Sequence, residues 1–377
     1  MELPTYFKDF LAKIRPQPEH ISDYIKGHKT LRDRLNSFDF GADIIVITFL
    51  QGSYRRATAN RPHNGKRADI DVIVVTKLSE DEYTPEEGLE VFVPFLEKFY
   101  EGKYERQGRS FGIELSYVDL DLVITSAPSE AEIGILQAES VRSDATPETE
   151  GAEDWRFNQF WLPLEKRLSL SFNERQYRID AASQAPEWKL NPLRIPDCDT
   201  EEWQDTHPLE QIRWTWEKNR NCKGHYVNVV KAIKWWRKEK HQTPKYPKGY
   251  PVEHLIGECC PDGITSVAEG ITRTLENITS EYQWYVDQNK TPELMDRGVP
   301  SHNVFKRVAP EDFTEFHSQV CEAANIARQA LDESDLKASV ELWQQLFGKD
   351  YFPDPPTSSG GYTPRKDVST VEGGRFA

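Results

Sequence analysis

One pattern constrains this chain more than any other: Gly52-Ser53, then Asp69-Ile70-Asp71, then Asp121 within Tyr117-Val118-Asp119-Leu120-Asp121-Leu122-Val123. Side chains on a strand alternate between its two faces. In Ala68-Asp69-Ile70-Asp71-Val72-Ile73-Val74-Val75, Asp69 and Asp71 therefore share one face, while Ile70 and Val72 point to the core. Setting like charges side by side on a half-buried face is costly unless a cation offsets them. A third carboxylate from a neighbouring strand completes a set that can hold two divalent cations for phosphoryl transfer. Gly52-Ser53 follows the apolar run Ile44-Ile45-Val46-Ile47 with Phe49-Leu50, where a glycine lets backbone N–H groups approach a triphosphate. Taken singly, a Gly-Ser is a turn and an exposed Asp-x-Asp is a solvated face. The three together point to a site.

These motifs resemble the polymerase-β-type nucleotidyltransferase superfamily. Within it the chain resembles the bacterial cGAS/DncV-like nucleotidyltransferases (CD-NTases) of CBASS anti-phage systems, and most of all their D clade. The likeness runs over nearly the whole chain. It takes in Thr48–Arg56, Gln107-Gly108-Arg109-Ser110-Phe111-Gly112-Ile113, Thr206-His207-Pro208-Leu209, Tyr246–Pro251 and Leu346-Phe347-Gly348. One departure is a longer gap between Ser53 and Asp69, filled by Arg61, Asn64, Gly65 and Lys66 and read as a loop of the clade.

A chain of 377 residues can bury two domains or one bilobal unit. Its net charge of −15, from 47 basic and 62 acidic residues, argues against a nucleic-acid wrapper, which must neutralise phosphates with Lys and Arg. A local basic pocket for one triphosphate is compatible with that balance. Cys198, Cys222, Cys259, Cys260 and Cys321 form no even framework, and no signal peptide is visible, which reads as a reducing cytoplasm. His254, Cys259 and Cys260 lack a fourth zinc ligand nearby and sit in an apolar helical stretch, so buried thiols are expected. No apolar run is long enough to span a bilayer.

Helical spacing marks Leu3 to Ile14, and a second helix follows Pro18 through Leu35. Strands are expected at Ile44–Phe49, Ala68–Thr76, Tyr104–Ile113 and Leu115–Thr125. One helix starts at the strong cap Thr84-Pro85-Glu86-Glu87 and carries Val91, Phe95, Leu96 and Phe99. Ser126–Glu153 reads as an acidic surface connection, and Trp155–Asp205 gives no clear element. Beyond it, helices are expected after Thr206-His207-Pro208 and at Tyr226–Lys238, Val252–Cys260, Ile264–Asp287, Pro310–Asp332 and Ser334–Phe347. The expected fold class is α+β: a polymerase-β-like lobe with a mixed sheet (1–205), a helical lobe completing the nucleotide site (206–352), and a Pro/Gly/Ser-rich disordered tail (353–377).

The resemblance implies roles residue by residue. Asp69, Asp71 and Asp121 would hold two Mg2+ or Mn2+ ions, with Asp121 drawing the proton from the attacking ribose hydroxyl. Asp119 would lie further out, near the acceptor. Gly52 and Ser53 would hold the donor triphosphate, joined by Lys234; Lys231, three residues earlier, stays open. Tyr250 would stack on the donor base. Gly249 stands where many relatives have Ser, so the phosphate contact made by that Ser is either missing here or comes from a backbone N–H or Lys248. The implied activity is template-independent synthesis of a cyclic oligonucleotide from ATP with release of pyrophosphate, with cyclic tri-adenylate as the D-clade product. A cyclic dinucleotide or a mixed-base ring is the alternative. A polymerase extending RNA ends is disfavoured by the acidic charge, and a nucleotidyltransferase-fold antitoxin or scaffold has no need for three clustered carboxylates. A downstream effector would read the product. The ending Gly373-Gly374-Arg375-Phe376-Ala377 would be activated at Ala377 by an E1/E2-like conjugating partner.

Overall fold

The computed structural model describes residues 1–40, 44–62, 65, 67–126, 192–241 and 243–356. The acidic connection from 127 onward, most of the stretch from Trp155 and the tail with Ala377 lie outside the described residues. The chain divides into two compact units: Pro16–Ala57 with Arg61–Arg213, and Met1–Arg15 with Thr58–Asn60 and Trp214–Ala377. This differs from the division read in the sequence at both ends. Met1–Arg15 groups with the helices, and the later boundary falls between Arg213 and Trp214.

The first unit is built on a seven-stranded mixed sheet in the order β1-β2-β5-β4-β3, with β6 joining β5 and β7 joining β6. Its strands are β1 (Ile45–Gln51), β2 (Asp69–Thr76), β3 (Tyr104–Arg106), β4 (Phe111–Glu114), β5 (Asp119–Ser126), β6 (Leu193–Asp197) and β7 (Glu202–Thr206). Among the described residues only β2 and β5 run parallel, and the other pairings are antiparallel. One face of the sheet buries Phe49, Ile73, Val75, Val123, Leu193 and Ile195 together with Leu209. On β2 the alternation holds, with Ile70 and Val72 1% and 0% exposed.

The single strand expected over Tyr104–Ile113 is a hairpin. Gln107 N–H donates to Ser110 O at 2.8 Å, turning the chain between β3 and β4. β6 and β7 were not legible as strands. They are pinned by Arg194, which reaches Asp205, Trp203 O and Glu80, and by the Arg109–Asp197 ion pair. The one helix expected from Thr84 through Phe99 is two, α4 (Pro85–Glu90) and α5 (Val93–Tyr100), preceded in the chain by α1 (Pro4–Ile14), α2 (Pro18–Ser37) and α3 (Gly52–Arg55). Pro94 has no N–H to give to a preceding turn, and so sits in the first turn of a new helix. The cap itself forms: Thr84 Oγ1 accepts from Glu87 N–H, and Glu87 Oε2 accepts from Thr84 N–H at 2.9 Å.

The second unit is helical. It contains α1, the later part of α6 (Pro208–Asn221), and α7 (Tyr226–Lys240), α8 (Tyr250–Cys259), α9 (Val267–Asp287), α10 (Pro310–Asp332) and α11 (Leu336–Phe347). α9 starts three residues later than its apolar pattern, because Ser266 accepts from Glu269 N–H and so sets the cap. Among the described residues no helix is long and apolar enough to cross a membrane.

The reason α1 belongs here is aromatic. Phe7 and Phe10, 2% and 0% exposed, lie against Trp343, Phe347 and Phe352, with Phe10 and Phe347 centroids 4.5 Å apart. Truncating a fully buried phenyl leaves a cavity worth about 3–5 kcal/mol. Phe10→Ala should therefore lower unfolding stability by about that amount, read by urea denaturation. A loss below about 1 kcal/mol would mean that α1 is only loosely docked.

Candidate active site

The parallel pairing of β2 with β5 puts the acidic residues in register. Asp69 stands opposite Asp119, and Asp71 opposite Asp121. All four occupy the face that further along carries Ile73, Val75 and Val123, so the carboxylates cluster where the apolar face begins. Asp119 has its own cation: Arg67 Nε lies 2.6 Å from its Oδ1, and Arg67 Nη2 reaches Glu114 at 3.2 Å. Among the described residues neither Asp69 nor Asp121 forms an ion pair.

The electrostatics follow. Asp69 meets solvent on one side, yet burial by the surrounding protein, then the charges of Asp71 and Asp119, push its carboxyl up to about 7. Burial, then Asp69 and Asp119, pushes Asp121 up to about 7 as well. In an unfolded chain both lose their protons near pH 4. Between these values the native state holds protons that the unfolded state has shed, so stability falls as pH rises. With a chelator present, melting temperature should decline from about pH 4 to about pH 7 and level off above, and the Asp69→Asn/Asp121→Asn double variant should flatten that slope. An unchanged slope in the variant would assign the decline to other groups.

β1 ends beside this cluster, with Gln51 opposite Asp71. The next residue, Gly52, has φ 76°, and a Cβ built on it would lie 1.7 Å from Asp71 Oδ2. Both the backbone conformation and the space exclude any side chain, so the Gly-Ser turn and the Asp-x-Asp strand require one another. Ser53 follows in α3, half-buried. Gly112 stands opposite Asp121 on β4, and a Cβ there would meet Gln107 Nε2 at 2.7 Å.

In the helical unit, α7 carries Lys231 and Lys234. Lys231 is 3% exposed, and its carbonyl accepts from Asn60 Nδ2 at 3.1 Å. Lys234 Nζ donates to Thr58 O at 3.2 Å and to Glu253 Oε2 at 3.3 Å. Lys248 and Gly249 are exposed, with the Lys248 ammonium 5.6 Å from the Tyr246 ring centre. Tyr250 opens α8 and sets its ring edge-on to His254, centroids 5.8 Å apart. His254 is 1% exposed, and burial, then the Arg297 charge, drops its imidazole to about 3. Among the described residues no three carboxylates, imidazoles or thiols already enclose a common point. Sequence reading missed Arg67, Thr58 and Glu253. The one available signal was an acid three residues past Tyr250 in an otherwise apolar helical turn.

Residues 1–130 match the family described as the Second Messenger Oligonucleotide or Dinucleotide Synthetase domain. The chain is 46% identical over 387 residues to a cyclic AMP-AMP-GMP synthase of Enterobacter hormaechei subsp. hoffmannii, with 100% of each chain covered. It is 28% identical over 354 residues to a cyclic AMP-AMP-AMP synthase of an Acinetobacter species, covering 92% of this chain and 85% of that one. Among solved structures, the CD-NTase CdnG of Bradyrhizobium diazoefficiens in complex with GTP has the same fold, with TM-score 0.63 at 11% identity over 92% of this chain and 96% of that one. Full-length identity of 46% joins the strand carboxylates and the mixed sheet in one conclusion: the chain belongs to the bacterial cGAS/DncV-like nucleotidyltransferases, enzymes that synthesise cyclic oligonucleotides.

Proposed function

We propose that this enzyme joins three nucleoside triphosphates into a cyclic trinucleotide of AMP-AMP-GMP type, releasing pyrophosphate at each bond. The in-register pairing of Asp69 and Asp71 with Asp119 and Asp121, closed on one side by Gly52, carries the catalytic reading. The ring composition is supported by the full-length relative at 46% identity. Cyclic tri-adenylate, implied by the D-clade resemblance, is the second reading, favoured by the Acinetobacter relative.

The donor set is all hard oxygen, and among the described residues Asp69 and Asp121 form no ion pair, which fits divalent magnesium or manganese. Asp69, Asp71 and Asp121 would hold two such ions, which when bound offset charge on the departing pyrophosphate and lower the pKa of the attacking hydroxyl. Asp121 accepts the proton of that ribose hydroxyl. Asp119, engaged by Arg67, is the outer carboxylate. Gly52 brings backbone N–H groups to the triphosphate, with Ser53 beside it. Lys234 contacts the phosphates, Lys248 and the Gly249 N–H supply the contact that a serine makes in many relatives, and Tyr250 offers a ring face to the base.

Purified enzyme with Mg2+ should form a ring from ATP plus GTP, identified by mass. A ring from ATP alone would establish tri-adenylate instead. The Asp69→Ala/Asp71→Ala variant should form neither while melting at the same or a higher temperature, since it sheds like charge. Turnover in that variant would sink the carboxylate assignment.

The product would serve as a second messenger read by an effector in anti-phage defence. The tail would be a conjugation handle through Ala377 for an E1/E2-like partner. Deleting Gly373–Ala377 should leave synthesis by purified enzyme unchanged and abolish phage protection when the partner is present. Unchanged protection would show that the ending is incidental.

A further inference from the structure

The helical unit holds a buried charge that the catalytic reading does not use. α8 leaves Gly249 at φ 63°, and Glu253 N–H donates to Gly249 O at 3.2 Å, so Glu253 lies in the first turn with Tyr250. Three residues apart on a helix, the two adjoin. Glu253 is 2% exposed. Its Oε2 accepts from Thr58 Oγ1 at 2.8 Å and from Lys234 Nζ at 3.3 Å. Lys234 Nζ donates in turn to Thr58 O at 3.2 Å, which closes a triangle around a residue that is itself 0% exposed. Asn60 ties the same segment to α7 three residues before Lys234, through the Lys231 carbonyl.

A carboxylate this buried must be paired and hydrogen-bonded to remain charged. Yet a well-packed apolar pair of similar volume stabilises a fold as well or better. What the ion pair adds is direction. Lysine is a point charge on a flexible four-carbon stem, and a phosphate that captures it must bear the cost of ordering that stem. Held at two points by Glu253 and Thr58, the Lys234 stem is ordered beforehand.

We propose that Glu253 is a positioning residue. It fixes the Lys234 ammonium, together with Thr58, so that one helical turn sets both the phosphate-binding cation and the base-stacking Tyr250. This rests on the reading of Lys234 as a triphosphate contact. It requires loss of Glu253 to weaken nucleotide capture without slowing the chemical step, the signature of binding shared equally by ground and transition states.

The experiment is steady-state release of pyrophosphate by Glu253→Gln, Thr58→Val, Lys234→Met and Glu253→Gln/Lys234→Met, with melting temperatures measured alongside. Glu253→Gln should raise KM for ATP about ten-fold, the scale of one charge-assisted hydrogen bond, with kcat within about two-fold, and should lower the melting temperature, because the Lys234 ammonium loses its carboxylate partner. Thr58→Val, which removes one small hydroxyl, should shift KM in the same direction by less. The double variant should be no worse than Lys234→Met alone, because Glu253 acts through that lysine. If Lys234→Met raises KM while Glu253→Gln and Thr58→Val do not, the positioning role is wrong and the Lys234 reading stands. If Lys234→Met leaves KM unchanged, it is the Lys234 reading that fails. A fall in melting temperature with KM unmoved would make Glu253 a purely structural residue and overturn the proposal.

Discussion

The parallel pairing of β2 with β5 is the constraint on which the sheet unit's chemistry depends. Parallel strands hold a fixed register over their length, and here that register sets Asp69 against Asp119 and Asp71 against Asp121. A slip of one residue would put Asp71 on the opposite face, among the residues packed around Val72 and Leu122, where a carboxylate has no partner. The apolar residues further along both strands prevent that slip. Ile73, Val75 and Val123 must share one buried face, and Ile70, Val72 and Leu120 the other. The core thus fixes the geometry of the charge, and the charge is a cost the core carries.

The Gly52–Asp71 contact makes the same point at shorter range. A turn at positive φ that admits no side chain, set against the Asp71 carboxylate, joins β1 to β2 at the place where phosphates are proposed to arrive. The helical unit uses a different device. Instead of clustering like charges, it pairs a buried Glu253 with Lys234 and threads Thr58 between them. One unit is short of positive charge and the other fixes a single cation in place.

Much of this was legible because it rests on local periodicity. The alternation in Asp69–Val75 gave the shared face, and Thr84-Pro85-Glu86-Glu87 gave a helix start that forms with both capping hydrogen bonds. What failed has physical reasons too. The Tyr104–Ile113 run has strand composition throughout, and only the Gln107–Ser110 hydrogen bond makes it turn back. β6 contains a proline and depends on Arg194 and Arg109 reaching residues far away in sequence. Glu253 could not be paired with Lys234 and Thr58 from spacing, since Thr58 is 195 residues away from it. α1 shows its apolar stripe plainly, but a stripe does not name its partner, and the partner is the C-terminal aromatic cluster.

The overall charge gives the local arrangements their meaning. A chain at −15 repels a nucleoside triphosphate at long range, and Asp69, Asp71 and Asp121 repel it again close by. Lys234 alone cannot reverse that, because its charge is already offset by the Glu253 carboxylate. Under the proposed function, nucleotide and divalent cation must therefore enter as one species, and the affinity of either depends on the other by linkage. The same acidic balance disfavours RNA under that proposal. A long polyanion offers many phosphates that the protein cannot neutralise, whereas a single metal-bound triphosphate brings its own neutralising charge. Under the proposed function the surplus of acid contributes to substrate choice: the same fields that heavily penalise a bare phosphate chain penalise less the one triphosphate that arrives with metal.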